Sequence, residues 1–235
     1  MKKLLAFSIG ICLFGSCETL SNLPGMPASG MVTEADAGQG IKEALTQGAS
    51  TAILNLNKEN AFFGNDVYKM FLPADAQKIE STLRKIGMGK QVDKAILQIN
   101  RAAEDAVGYA KPVFIDAIKQ MTLTDALNIV RGNQHAATDY FRDKTNGKII
   151  EAFSPSIQRS LEKLNATRYY TEIVTIYNNL PTTFNKVNPD LNGFVAAKAT
   201  AALFDQVEKE EANIRVNPLA RTSDILKKVF GTKLY

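Results

Sequence analysis

The chain has 235 residues, 45% of them hydrophobic and 22% charged, and a formal net charge of +4. That length and apolar content suffice for a domain with a substantial core and exclude intrinsic disorder. The charge is mild and spread along the chain, which argues against a nucleic-acid-binding arm. A single histidine, two cysteines and no tryptophan leave most metal-site and nucleophile–base chemistries without their parts.

Lys2 and Lys3 precede an apolar stretch from Leu4 to Phe14, followed by Gly15, Ser16 and Cys17. This is the layout of a secretory leader, and its apolar run falls short of the roughly 20 residues that cross a bilayer as a helix. Phe14-Gly15-Ser16-Cys17 resembles the lipobox of bacterial lipoproteins, with Phe14 where that pattern prefers Leu. The resemblance implies cleavage before Cys17 and acylation of its thiol. Cys12 leaves with the leader, so the remaining cysteine has no partner for an internal disulfide. The plainer alternative is a signal peptide with an incidental cysteine. Loss of Lys2 and Lys3 lowers the net charge from +4 to +2. That is too little to hold a polyanion, whereas acyl chains anchor firmly to a membrane. Residues 1–16 therefore read as a lipoprotein signal peptide. Residues 17–33, with Ser21, Asn22, Pro24, Gly25, Pro27, Ser29 and Gly30, read as a flexible tether, and 34–235 as a helical domain.

Thr33 followed by Asp36 predicts a capping box that opens a helix to about Asn57, with Ile41, Leu45, Ala49, Ala52, Ile53 and Leu56 on one face. Gly38, Gly40 and Gly48 weaken that helix and make it dependent on tertiary contacts. From Asn60 to Pro73 the helical period is lost. Phe62-Phe63-Gly64-Asn65 reads as an aromatic loop and Val67 to Leu72 as a short extended piece. A second helix is expected from Ala74 to Ile86, stopped by Gly87 and Gly89. The third, from Lys90 to about Ala110, carries the clearest stripe: Val92, Ala95, Ile96, Ile99, Ala102, Ala103, Ala106 and Val107. Pro112 suits the first turn of a fourth helix with Phe114, Ala117, Ile118 and Met121 inward. Thr122 and Asp125 form another capping box before a short helix ended by Gly132. Asn133 is expected to cap a helix to Phe153 bearing Ala137, Phe141, Thr145 and Ile149, and Pro155 to begin a separate segment to about Leu164. A Tyr-rich helix spans Thr167 to Leu180, and another runs from Asn188-Pro189 to about Ala212. After a break at Asn217-Pro218, Ser223 caps a short helix ended by Gly231. No stretch alternates convincingly over five residues. The expected fold is all-α: a single bundle-like domain of about nine helices.

Four strings carry a family likeness: Asn100-Arg101-Ala102-Ala103-Glu104, the run from Lys111-Pro112-Val113-Phe114 to Met121-Thr122, Ala137-Thr138-Asp139-Tyr140-Phe141-Arg142, and Asp224-Ile225-Leu226-Lys227-Lys228-Val229-Phe230-Gly231. Together they resemble family 4197 of bacterial domains of unknown function, over nearly everything from Gly40 to Gly231. The resemblance implies an exported or lipoprotein-like chain and carries no activity, cofactor or catalytic residue.

Candidate chemistry is sparse. His135 and Asp139 share a helix face and could orient a base or begin a metal site, but zinc would have to draw its other ligands from carboxylates alone. The segment Gly48-Ala49-Ser50-Thr51-Ala52 lacks the second glycine of a nucleophile elbow, and Gly87-Met88-Gly89-Lys90 lacks the spacing of a phosphate loop. Neither a cofactor nor a metal is expected. Asn100 with Glu104, Asp116 with Lys119, and Asp139 with Arg142 flank apolar stripes on three helices. They read either as a polar pocket among helices or, more simply, as an interhelical network that sets register. Arg101 is spaced to pair with Asp105. Glu208, Lys209, Glu210 and Glu211 read as a solvated face, and Tyr169, Tyr170 and Tyr177 either as the lining of an apolar groove for a lipid or a partner helix or, more simply, as core. Phe62 and Phe63 either plug the core or protrude as an interaction loop.

These features lead us to expect a non-enzymatic, lipid-anchored cell-envelope protein, facing the periplasm or cell surface, with a helical interaction or structural module. Its expected partners are a membrane, through the acyl anchor, and an envelope protein. The alternative is a periplasmic binding protein that holds a small hydrophobic or anionic ligand between helices, and an enzyme using carboxylates ranks last. An enclosed apolar cavity on the order of several hundred Å³ would favour the ligand holder, and a filled core with an exposed aromatic patch the interaction module. Labelling cells with radioactive palmitate is expected to mark the wild-type chain and leave Cys17→Ala unmarked.

Overall fold

Thr33 and Thr122 open helices in the same way. Each hydroxyl accepts from the N–H of the aspartate three residues on (3.1 Å in both cases), and that aspartate accepts from the threonine N–H at 2.9 Å. The computed structural model describes residues 32–72, 74–163, 165–179, 186–187 and 190–231, those of 74–78 by main chain only. The signal peptide, Cys17 and the tether up to Met31 lie outside the described residues, as do Pro73, Leu164, Leu180 and Asn188-Pro189.

In chain order the helices are α1 (Glu34–Leu56), α2 (Ala74–Lys85), α3 (Gly89–Val107), α4 (Ala110–Gln120), α5 (Leu123–Arg131), α6 (Ala136–Lys163), α7 (Ala166–Asn178), α8 (Leu191–Val216) and α9 (Asp224–Gly231). A 3-10 turn at Pro218–Ala220 separates the last two. No strand occurs among the described residues, and no helix there is long and apolar enough to cross a membrane. The all-α reading stands.

Most predicted ends are where their chemistry puts them. Gly87 takes φ +85° after α2, and the Met88 N–H reaches back to the Leu83 carbonyl at 2.9 Å, closing a Schellman turn. Asn217 ends α8 and accepts from the Leu219 N–H at 3.0 Å. Arg221 then caps α8, donating to the carbonyls of Ile214 (3.1 Å) and Arg215 (2.9 Å).

Pro155 is the correction. The expected break is absent, and α6 runs through it to Lys163. Proline removes one i→i−4 bond and costs roughly 3 kcal/mol inside a helix. Against that, Phe141, Thr145, Ile149, Phe153, Ile157 and Leu161 form a buried stripe at unbroken four-residue steps. Burial of Ile157 and Leu161 alone stabilises by about 1.5–3 kcal/mol each. The Ser154 hydroxyl donates to the Ile150 carbonyl (3.0 Å), and Asn192 donates to the Ser154 carbonyl (3.2 Å), tying the proline turn to α8.

Helices α6 and α8 pack most extensively and run antiparallel: Asn192 near the start of α8 meets Ser154 late in α6, while Glu211 near its end meets Ala137 and Thr138. Around this pair lie α1, α3 and α4, with Phe114, Phe141 and Phe204 as an aromatic cluster (centroids 4.8 and 6.0 Å apart). The core is filled: an apolar pocket between α1, α6, α8 and α9, lined by Ile41, Leu45, Val207, Ile214 and Phe230, has a volume of about 20 Å³, room for one water.

The final helix closes the domain against its first. A Cβ on Gly40 would lie 2.6 Å from Val229, so the bare glycine lets α9 approach α1. Lys228 pairs with Asp36 at 2.7 Å. With the Lys228 ammonium and the Thr33 groups beside it, the Asp36 carboxyl titrates well below the usual carboxylate range. A Cβ on Gly147, in the middle of α6, would meet nothing within 4 Å. Gly147→Ala is therefore expected to stabilise the domain by about 0.5–1 kcal/mol, and Gly40→Ala to destabilise it by displacing α9. Thermal melts monitored by circular dichroism check both signs.

Candidate functional site

Residues 57–72 connect α1 to α2 without regular structure, so their polar main chain needs partners from elsewhere. The flank of α3 supplies them. Asn100 is fully buried; its Oδ1 accepts from the Met70 N–H and its amide donates to the Met70 carbonyl, both at 2.8 Å. One side chain thereby satisfies the main chain of a residue that has no neighbouring strand. Glu104, also buried, accepts from the N–H groups of Phe62 (3.0 Å) and Phe63 (3.2 Å) through Oε1, and from Arg101 at 2.5 Å through Oε2. Arg101 reaches on to Glu59 (3.0 Å) and Asn60 (2.9 Å), and Asn57 donates to the Glu104 carbonyl at 2.6 Å. The spacing-based pairing of Arg101 with Asp105 is thus corrected. The buried carboxylate of Glu104 takes the guanidinium, and Asp105 accepts from Ser160 of α6 (3.1 Å).

The other two polar pairs lie elsewhere. Asp116 and Lys119 are exposed on α4, where Gln120 donates to Asp116 at 2.7 Å. Asp139 and Arg142 are exposed on α6 at 3.2 Å from one another, and Arg142 stands over the Phe204 ring. The His135 ring lies 3.1 Å from Glu208 of α8, which Arg142 also approaches at 3.7 Å. The three pairs therefore do not share a pocket: one braces a loop, one faces solvent and one links α6 to α8. Among the described residues, no group of three or more His, Cys, Asp and Glu side chains is placed to hold a metal.

Glu211 corrects the reading of Glu208 to Glu211 as a solvated face. It is buried and accepts from the N–H groups of Ala137 (3.0 Å) and Thr138 (2.8 Å) and from the Thr138 hydroxyl (2.7 Å), with Arg215 at 2.8 Å as its counter-charge. The first turn of α6 is thus capped by α8 rather than by Asn133, whose Oδ1 accepts from the His135 N–H.

Of the two roles open to the aromatic loop, Phe62 takes the plug: it is fully buried. Phe63 is half-buried under the Lys69 ammonium, 4.3 Å from its ring centre. Tyr170 is core, Tyr177 packs against it, and Tyr169 lies under Lys94. What protrudes is the stretch after the loop. Burial alternates there, with Tyr68, Met70 and Leu72 inward while Val67 and Phe71 are 75% and 48% exposed.

This stretch and α8 form the walls of an open groove of about 410 Å³, lined by Val67 to Leu72 and by Phe194, Lys198, Ala201, Ala202 and Asp205. At one end Tyr68 donates to Asp205 and accepts from Gln206 (2.5 Å) and Lys209 (2.9 Å), while Lys209 also donates to Asp205 at 2.7 Å. Burial pushes the Asp205 carboxyl up, but the Lys209 and Tyr68 donors more than offset this and leave it below its ordinary value. The same two oxygens raise the Lys209 ammonium. Every member of this cluster has a partner, so it fixes the groove's end and presents no reactive group. The sequence held no signal for the groove: apart from Lys69, the residues from Val67 to Leu72 are apolar at buried and exposed positions alike, and the stripe on α8 that completes it belongs to a helix over a hundred residues later.

The profile of a family described as "Protein of unknown function (DUF4197)" matches residues 31–231. No curated protein and no solved structure matches the chain.

Removing either buried carboxylate would orphan two main-chain donors at once and take a counter-charge from an arginine. Glu104→Ala and Glu211→Ala are each expected to cost about 3 kcal/mol in chemical denaturation. Faster hydrogen exchange should appear at Phe62 and Phe63 in the first variant and at Ala137 and Thr138 in the second.

Proposed function

The chain belongs to the DUF4197 family, and from that premise we propose that it is a non-enzymatic, lipid-anchored protein of the cell envelope whose helical domain is an interaction or structural module. The observation that carries this reading is the contrast between interior and surface. The pocket between α1, α6, α8 and α9 holds about 20 Å³, far below the roughly 300–1,000 Å³ of ordinary ligand sites. A groove of about 410 Å³ of mixed apolar and charged lining is open on the outside, with Val67 and Phe71 exposed along it. This favours a module that meets something at its surface over one that encloses a ligand between helices. The non-enzymatic part rests on placement. Glu104 is committed to main-chain N–H groups and an arginine, and Asp116 and Asp139 lie exposed on different helices.

The anchor rests on Cys17 and its leader, and the envelope location on the same residues. Fractionation is expected to recover the chain with membranes and to move Cys17→Ala into the soluble envelope fraction. Uncut chain in the cytosol would sink the proposal. Crosslinking in intact cells, followed by mass spectrometry of the co-purified protein and lipid, separates the readings: a recurrent protein partner supports the module, and a lipid alone supports the ligand-holding alternative.

A further inference from the structure

The groove has an unpaired edge of main chain. Met70 turns its N–H and carbonyl to Asn100. Asp66 to Tyr68 form a turn, with the Lys69 N–H returning to the Asn65 carbonyl at 2.8 Å. The extended piece expected from Val67 is therefore not formed there, and Phe71 follows Met70 on the groove wall. Among the described residues neither polar main-chain group of Phe71 makes a hydrogen bond, and neither does the carbonyl of Lys69. Such an edge is a template for another strand.

The facing wall suits the same occupant. Phe194, Lys198, Ala201, Ala202 and Asp205 follow one another along one stripe of α8. From first to last they cover roughly 16 Å, which about five residues of extended chain would span. Ala201 and Ala202 leave space at the middle for a close backbone, and Phe194 and Phe71 offer apolar contact. The charges are asymmetric. Asp205 is already held by Lys209 and Tyr68, whereas Lys69 and Lys198 line the groove with no carboxylate within ion-pair distance among the described residues.

We infer that this groove takes an extended segment of a partner polypeptide, paired through its main chain to Phe71, with apolar side chains against the walls and an acidic side chain meeting Lys198 or Lys69. The inference rests on the interaction-module reading and gives it a partner type. An acyl chain would use the apolar side chains but has no use for the unpaired N–H and carbonyl of Phe71.

The test is panning of a phage-displayed random dodecapeptide library on the full chain, followed by fluorescence anisotropy with the best synthetic peptide. Enriched peptides should carry apolar residues at alternating positions with an Asp or Glu among them. Phe71→Pro deletes the unpaired N–H and should weaken binding about tenfold more than Phe71→Ala, one hydrogen bond's worth. Lys198→Glu and Lys69→Glu should weaken it further, and added salt should weaken the wild type. Lys198 is exposed on a helix, so its variant keeps the test open if Phe71→Pro melts early. The inference is overturned if no peptide is enriched, or if affinity is indifferent to Phe71→Pro and to both charge reversals. It is equally overturned if the groove takes only a fluorescent fatty acid, or if Phe71 proves to mediate self-association in sedimentation. A partner crosslinked elsewhere on the domain, with no peptide bound here, overturns the groove and leaves the interaction module standing.

Discussion

A carboxylate taken out of water must be met by donors that replace its hydration, and in this domain two carboxylates are met mainly by backbone. Glu104 and Glu211 each accept two main-chain N–H groups from a distant part of the chain and one arginine from their own helix. The arginine sits one turn away, three residues before Glu104 and four after Glu211, so forming each helix brings the counter-charge alongside before tertiary contacts exist. The backbone donors are what tie the fold together. Glu104 holds the α1–α2 connection against α3, and Glu211 holds the start of α6 against α8. Apolar side chains could fill the same volume but could not satisfy those N–H groups, and a buried unmet donor costs about 1–3 kcal/mol.

Legibility in the sequence followed the range of each interaction. Capping boxes at Thr33 and Thr122, the glycine stop after α2 and the stripe of α3 are local, and each is where a few adjacent residues put it. Pro155 misled because a local rule was set against a longer pattern that was already visible, the four-residue repeat from Phe141 to Leu161. Glu211 misled because it stands among other charged residues. It is nonetheless in phase with Leu203, Val207 and Ile214, and the exposed Lys209 beside it is not. Asn100 and Glu104 were recognised as flanking a boundary, but what lies across that boundary is a loop, whose path no helical period encodes. The link from His135 to Glu208 joins the turn before α6 to α8, and spacing along one helix pointed instead to Asp139.

The distribution of polar groups says what kind of domain this is. Asn100, Glu104, Glu211 and Arg221 are buried with backbone groups among their partners, and exposed ion pairs such as Arg142 with Glu208 link helices. The features that remain unused by the fold are shallow and external: an aromatic and a valine standing out beside a small-residue stretch of α8, with lysines along the rim.

One carboxylate has two duties at the place where the described chain begins. Asp36 completes the cap on α1, three residues from Thr33, and also receives Lys228 from the last helix. Any tension entering the domain through its first residues would therefore be shared at once with α9, and so with the packing of Val229 on Gly40. A pull from the amino-terminal side would be resisted by both ends of the domain together, which makes that junction a mechanical clasp as well as a helix start.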